Sequence, residues 1–435
     1  MTVHTLEAQA LRALVNASDP PTLADHLAEQ LKPWSDEELE ASSEPHPHVF
    51  SADNQGLFPI SEVSVLGARG REGKTTVLVA IAAALATDRP LAGLMPISRR
   101  SAVIYSAEDD RRQFARKVAA QRAGLSPHKV ESLKRRILVP DLEASGMEEL
   151  RRLVTEVERK PISTGTDKVV IDALRPLMRS SHPPVLIIFE TASTLTDTEE
   201  NNQAYAALID CLKRIARALG VAVVLVHHTS QASDATLADL SINSSGIRGG
   251  TTLIYNSRQN LLLVDLGSEA DPFPSHDART ALRNMVAPDE GRRISVLVAM
   301  ETSKASDPPP LWFCWIDTAY GPAAIEVEAP EQLIGLSWRK VRGLTMAART
   351  TRREESKKSS QATNVAQVIQ LVEELDAEGK QPTARAVSIA AGRSETWATP
   401  YLNQAARDGK LRDQSEKVPR RSKPTTVYRP IDSTG

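Results

Sequence analysis

Residues 63–81 read V-S-V-L-G-A-R-G-R-E-G-K-T-T-V-L-V-A-I, and this stretch restricts the possible folds more than any other. Val63, Val65 and Leu66 make a short apolar strand. A glycine-punctuated loop, 67–73, follows, and Lys74, Thr75 and Thr76 open a strongly apolar helix. Strand, G-x-x-x-x-G-K-[ST] loop and helix, in that order, form a phosphate-binding P-loop. Glycines let backbone N–H groups turn inward around phosphate oxygens, and the helix N-terminus adds partial positive charge. The expected nucleotide-binding residues are Gly67, Ala68, Arg69, Gly70, Arg71, Glu72, Gly73, Lys74, Thr75 and Thr76. Lys74 is placed to neutralise the β- and γ-phosphates of ATP, and the Thr75 hydroxyl to hold Mg²⁺. Ala68 departs from the pattern: a glycine is usual five positions before Gly73, and here Gly67 stands next to that position.

A chain of 435 residues has room for two or three domains, and 41% hydrophobic content is enough for real cores. The net charge of −2 hides an asymmetry. From Arg339 onward there are 19 Lys+Arg against 11 Asp+Glu, about +8, which leaves about −10 before it. A basic tail on an acidic body predicts a polyanionic partner such as nucleic acid. Cys211 and Cys314 are far apart and in no C-x-x-C, so neither a disulfide framework nor a zinc site is expected. His26, His46 and His48 lack the spacing of metal ligands and read as surface histidines. There is no charged-then-apolar leader pattern, and the longest apolar run, 77–86, is too short to span a bilayer. The expectation is a cytoplasmic protein with no membrane partner.

Four regions follow from the patterning. Residues 1–55 read as two short helices (6–16 and 23–31) and a Pro/His linker around 45–48. Residues 56–330 alternate strand and helix signals, which predicts an α/β core with a mostly parallel sheet. Strands are expected at 63–66, 102–105, 137–139, 185–189 and 221–226, and helices at 75–87, 110–123, 148–158 and 202–219. Residues 160–184 look polar and irregular. The apolar runs 261–266, 294–300 and 311–316 read as antiparallel strands at the sheet edge. Residues 331–362 are a charged, Ser/Thr-rich connector. Residues 363–430 predict a small domain of three helices and two strands, in which Thr399 and Pro400 would shorten the third helix.

The rest of an ATPase belongs at the carboxyl ends of strands flanking the P-loop. The stretch S-A-V-I-Y-S-A-E-D-D (101–110) delivers Glu108 there, where a carboxylate can polarise the attacking water. The stretch P-V-L-I-I-F-E-T (184–191) is an apolar run ending in Glu190, placed to reach a water on Mg²⁺. Asp172, in K-V-V-I-D, is a competing acid with a shorter apolar run. A third strand, V-A-V-V-L-V-H-H-T-S, ends in His227 and His228, suited to sensing the γ-phosphate. Adjacent strand side chains point opposite ways, so they are not expected to share a metal. Finally, G-I-R-G-G-T-T-L-I-Y-N-S-R carries Arg248 and Arg258, either of which could stabilise transition-state charge on a neighbour's ATP.

This ordered set resembles the RepA-type hexameric replicative helicases, within the RecA-like P-loop ATPases, over roughly residues 56–320. The resemblance implies Glu108 as catalytic base, Glu190 at the Walker B position, His227 and His228 as sensor histidines, and Arg258 as an arginine finger acting across subunits. Arg248 matches the arginine of that family's R-G-S/T stretch, and Lys304, in M-E-T-S-K, matches a late lysine. It further implies ATP and Mg²⁺ as cofactors, a homo-oligomer, in particular a hexamer, and single-stranded DNA through the ring. The tail resembles a winged-helix DNA-binding domain, whose partner would be duplex DNA. Between Lys410 and Arg429 stand seven Lys+Arg and two acids, a basic hairpin suited to phosphates. The function implied is a replicative helicase of a mobile element. An ATP-switched regulator or loader, or a recombination or repair ATPase, is the alternative.

Overall fold

The computed structural model describes residues 46–198, 201–229, 234–241, 250–271, 273–274, 277–286, 291–302, 307–416 and 425–431. Arg248 and Lys304, the helices expected within 1–45, and most of the tail's basic hairpin loop lie outside the described residues.

The strands in chain order are β1 (His48–Ala52), β2 (Gln55–Pro59), β3 (Val63–Ala68), β4 (Met95–Pro96), β5 (Ser101–Ser106), β6 (Ile137–Leu138), β7 (Val154–Val157), β8 (Lys160–Ser163), β9 (Pro184–Glu190), β10 (Thr196–Asp197), β11 (Ala222–His228), β12 (Gln259–Gly267), β13 (Ile294–Thr302), β14 (Leu311–Thr318), β15 (Gly321–Val327), β16 (Leu411–Glu416) and β17 (Thr425–Pro430). The helices are α1 (Lys74–Ala86), α2 (Arg111–Ala120), α3 (Pro127–Arg136), α4 (Thr166–Leu174), α5 (Asn202–Leu219), α6 (Asp234–Ala238), α7 (Gly250–Asn256), α8 (Ala278–Val286), α9 (Trp338–Ala377), α10 (Ala384–Ala390) and α11 (Glu395–Arg407).

Nine strands form one sheet in the order β15-β14-β13-β12-β3-β11-β9-β5-β6. From β12 to β6 all neighbours are parallel; β12 to β15 pair antiparallel. The chain is therefore α/β with a large, mostly parallel central sheet. β3, β5 and β9 are buried along their whole lengths, as their continuous apolar runs require of strands covered on both faces. One face packs on α1, which is apolar all round and sealed from solvent at nearly every position. The other face packs on α5, an amphipathic helix capped by Asn201, whose side chain accepts from the Gln203 and Ala204 N–H groups; it stops at Gly220 (φ 65°).

Several expectations need correcting. Residues 261–266 form a strand parallel to β3 inside the sheet, and only the strands after it are antiparallel. The segment 148–158 is not a helix: after one 3-10 turn it becomes β7, which pairs with β8 in a hairpin. Residues 160–184 are ordered as β8, α4 and a 3-10 turn. From His48 on the chain forms the β1–β2 hairpin rather than a linker. Val49, Phe50, Leu57 and Phe58 enter the core, and Gln259 ties the hairpin to β12 through the Phe58 N–H (2.9 Å) and the Gly56 carbonyl (3.0 Å). The connector 331–362 runs mostly inside α9, a single helix of 40 residues. Its start packs beside α8 through Trp338, Val341 and Met346. Its end carries Val365, Val368 and Val372 into a separate small core with α10, α11, Leu411 and Tyr428. Pro400 sits inside α11, whose N-cap is Ser394, so the helix is not shortened.

Candidate active site

Because β3, β11, β9 and β5 are parallel neighbours, everything that follows their last residues meets along one edge of the sheet. Ser106 pairs with Glu190, Gly67 with His227 and Ala68 with His228. The P-loop, Glu108, Glu190, His227 and His228 are thus brought together, as the sequence implies.

Ala68 is the last residue of β3 and receives the Thr229 N–H at 3.0 Å. It is not among the residues with positive φ, so alanine fits where glycine is usual. Gly73 is different. It has φ 82°, and a Cβ there would fall 1.9 Å from Cη2 of Trp315 on β14. No side chain fits that position. Trp315 is itself fixed by its indole N–H to Ser295 Oγ (2.9 Å) and by the Arg293 guanidinium 4.7 Å above the ring. Inside the loop, Glu72 accepts the Arg69 N–H at 2.9 Å and is almost wholly buried. Burial pushes its carboxyl up to about 7, opposed chiefly by that hydrogen bond.

Lys74 Nζ donates to the Arg69 carbonyl at 3.2 Å and lies 3.1 Å from His228 Nδ1. Burial lowers its pKa, and the nearby Glu190, Glu108 and Glu72 oppose that, favouring the charged form. Thr75 Oγ1 donates to Glu190 Oε1. Glu190 is 3% exposed, and burial pushes its carboxyl up to about 7. Its second oxygen, Oε2, is buried with no hydrogen-bond partner. A threonine hydroxyl and a buried carboxylate with an unused oxygen are hard oxygen groups of the kind Mg²⁺ sites use. These residues fit Mg²⁺–ATP. Asp172, by contrast, lies exposed on α4 with Arg175 as its ion partner, away from any strand end.

Glu108 follows β5, its N–H donating to Ser106 Oγ at 3.2 Å, and is an exposed residue. Thr191 Oγ1 donates to Glu108 Oε2 at 3.2 Å. Asp109 is engaged by Lys117, and Asp110 caps α2 by accepting the Gln113 N–H at 2.7 Å. His227 is fully buried with its ring 5.2 Å from that of Tyr205, while His228 turns to Lys74, as alternation along a strand requires.

Arg258 is not in this group. Its N–H donates to the Val63 carbonyl (2.9 Å), and its Nε lies 3.6 Å from Glu62. It therefore stands at the start of β3, five residues from Ala68, about 17 Å from the P-loop edge at a strand's rise per residue. It cannot touch nucleotide in its own P-loop. The strand-end motifs do not single out Thr191, Trp315 or the internal role of Glu72. Thr191 had a signal, since it directly follows the acid that ends the apolar run; Trp315 comes from a distant strand and had none.

Residues 26–234 match the AAA_25 family model, described as an AAA domain, over just under half of the chain. A search of curated proteins found no match. Among solved structures, the chain is similar to a DnaB-like replicative helicase studied for its interactions with primase: 12% identity, 74% of this chain and 71% of that one, TM-score 0.40. It is also similar to the RadB recombinase: 15% identity, 62% of this chain and 94% of that one, TM-score 0.36. The family match supports a P-loop ATPase. Among the described residues, no helix is long and apolar enough to cross a membrane.

Proposed function

We propose that this chain hydrolyses ATP with Mg²⁺ and uses the energy to move on DNA as a ring-forming, RecA-like replicative helicase, of the kind carried by mobile elements. The observation that carries the proposal is a division of the site between the two edges of one sheet. Lys74, Thr75, Glu108 and Glu190 converge on one edge, while Arg258 stands on the opposite edge, out of reach of its own P-loop. Such a site is complete only when a second subunit brings its Arg258 edge to the first subunit's P-loop edge. Repetition of that head-to-tail contact closes a ring, for which six subunits is the expected number.

In this mechanism Lys74 and the P-loop N–H groups hold the β- and γ-phosphates. Thr75 and Glu190 are the residues that would hold Mg²⁺, which when bound would supply positive charge to offset that of the phosphates. Glu108 takes the proton of the attacking water as the water oxygen bonds to the γ-phosphorus and the bond from that phosphorus to the β–γ bridging oxygen breaks, with ADP as the leaving group. Arg258 of the neighbour meets the charge that develops on the transferring group. His227, and His228 beside Lys74, report γ-phosphate loss to the loops that follow β11. Arg248 and Lys304 are assigned to the same site by resemblance. The basic tail, with three helices and a hairpin, is proposed as a winged-helix module that binds duplex DNA, while single-stranded DNA passes through the ring.

Strand displacement on a forked duplex, with and without ATP, tests this. Wild type should displace a strand only with ATP, and Lys74→Ala should lose both displacement and hydrolysis. ATP hydrolysis without displacement would leave an ATP-switched loader or regulator, or a recombination ATPase, as the function.

A further inference from the structure

Glu108 sits on a loop after β5 and is an exposed residue. A free glutamate there would spread over several rotamers, and a general base works only within hydrogen-bond reach of the water it deprotonates. Among the described residues, one side chain holds that carboxylate: Thr191, whose hydroxyl donates to Oε2 at 3.2 Å.

Thr191 is itself rigid. It is 1% exposed. Its N–H donates to Thr194 Oγ1 at 3.0 Å, and its carbonyl accepts from Thr194 Oγ1 at 2.9 Å and from the Leu195 N–H at 3.2 Å. The next residue, Ala192, donates its N–H to the Val226 carbonyl on β11 at 2.9 Å. A hydroxyl has one proton to give; donating it to Glu108 leaves the Thr191 oxygen to accept from Ser193 Oγ, 3.2 Å away. Thr191 also directly follows Glu190, which accepts the Thr75 hydroxyl. One short turn at the end of β9 therefore touches both the residue placed to reach Mg²⁺ and the residue placed to take the proton.

We propose that Thr191 is a positioning residue: its hydroxyl aims the Glu108 carboxylate and fixes its spacing from the Thr75–Glu190 pair. This rests on the assignment of Glu108 as the base. The role belongs to the hydroxyl and not to the shape of the side chain. Thr191→Val keeps the shape and removes the hydroxyl, whereas Thr191→Ser keeps the hydroxyl and removes a methyl.

The test measures kcat for ATP and, separately, the Kd for a fluorescent ATP analogue by equilibrium titration. Thr191→Val should lose about 10- to 100-fold in kcat, the cost of a misaimed catalytic group, with Kd within about twofold of wild type. Thr191→Ser should stay within about threefold of wild type in both. Placed on Glu108→Gln, Thr191→Val should cost nothing further. The proposal is overturned if Thr191→Val turns over at the wild-type rate, if Thr191→Ser falls as far as Thr191→Val, or if the double variant loses a further tenfold. Glu108→Gln separates this from the assignment beneath it. An inactive Glu108→Gln beside a fully active Thr191→Val overturns the positioning role alone. A fully active Glu108→Gln overturns the base assignment and the positioning role with it.

Discussion

Glu190 and Asp172 both end short apolar runs, V-L-I-I-F-E and K-V-V-I-D. Glu190 ends a strand beside β11 and β5, is buried, and keeps one oxygen without a partner. Asp172 is on an exposed helix face with Arg175. A buried carboxyl without a full set of hydrogen bonds is costly, and its persistence beside the Thr75 hydroxyl is intelligible if a cation completes it. Glu190→Ala should therefore lose about 10- to 100-fold in Mg²⁺-dependent ATP turnover, the usual loss for a group that supports a metal from its outer sphere. Asp172→Ala should match wild type across an Mg²⁺ titration. The reverse pattern would reassign the acid. At this scale the sequence is informative about placement, because strand-end motifs are local: Lys74, Thr75, Glu108, Glu190 and His228 lie along one edge of the sheet, while the His227 ring turns to Tyr205. Thr191 is marked only by its place after Glu190 and Trp315 by nothing local, because their partners Glu108 and Gly73 come from other parts of the chain.

Among the elements, the P-loop is held from inside and outside. Glu72 closes it through the Arg69 N–H, and Trp315 presses on Gly73 from the antiparallel end of the sheet. Burial raises the Glu72 carboxyl from 4.5 to about 7. The folded state therefore favours its protonated form. Its contribution to stability is full below about 4.5, the unfolded value, and is lost as pH rises through about 7. In urea unfolding of the nucleotide-free protein, wild type should lose more stability than Glu72→Gln between about pH 5 and pH 7.5. The difference should reach at most about 3 kcal/mol. Parallel pH profiles for the two proteins would contradict the burial of an ionisable Glu72. The elements that sequence reasoning misplaced have physical reasons too. The β7–β8 hairpin turns at Glu158 (φ 50°) and Arg159 (φ 63°), two left-handed residues in place of the Asn-Gly or Asp-Gly that would announce such a turn. An E-E-L-R-R-L-V pattern without that signal reads as helix. β12 reads as an antiparallel edge strand because no long helix precedes it, yet its crossover passes through the short α7.

On the scale of the whole molecule, α9 is the element whose length sequence periodicity does not show, although its last turns carry an apolar face at Val365, Val368, Ile369, Val372 and Leu375. Its 40 residues span about 60 Å at the rise of an α-helix. The middle is charged and polar, without an apolar stripe, so it looks like a connector. What fixes it as helix is packing at both ends, beside α8 at its start and in the small tail core at its end. The placement of the proposed catalytic groups at the two ends of the parallel strands is the other property of the whole, and it carries the proposed function. It predicts that no single subunit holds a complete site. Lys74→Ala lacks a sound P-loop but keeps Arg258; Arg258→Ala keeps its P-loop but has nothing to offer a neighbour. The most direct measurement is ATP hydrolysis, with single-stranded DNA present, by each variant alone and by a co-assembled mixture of the two. Each alone should be inactive, and activity should return in the mixture, at a modest fraction of wild type set by random assembly. An inactive mixture despite demonstrated co-assembly would contradict a site shared between subunits, as would full DNA-dependent ATP hydrolysis by a wild-type monomer.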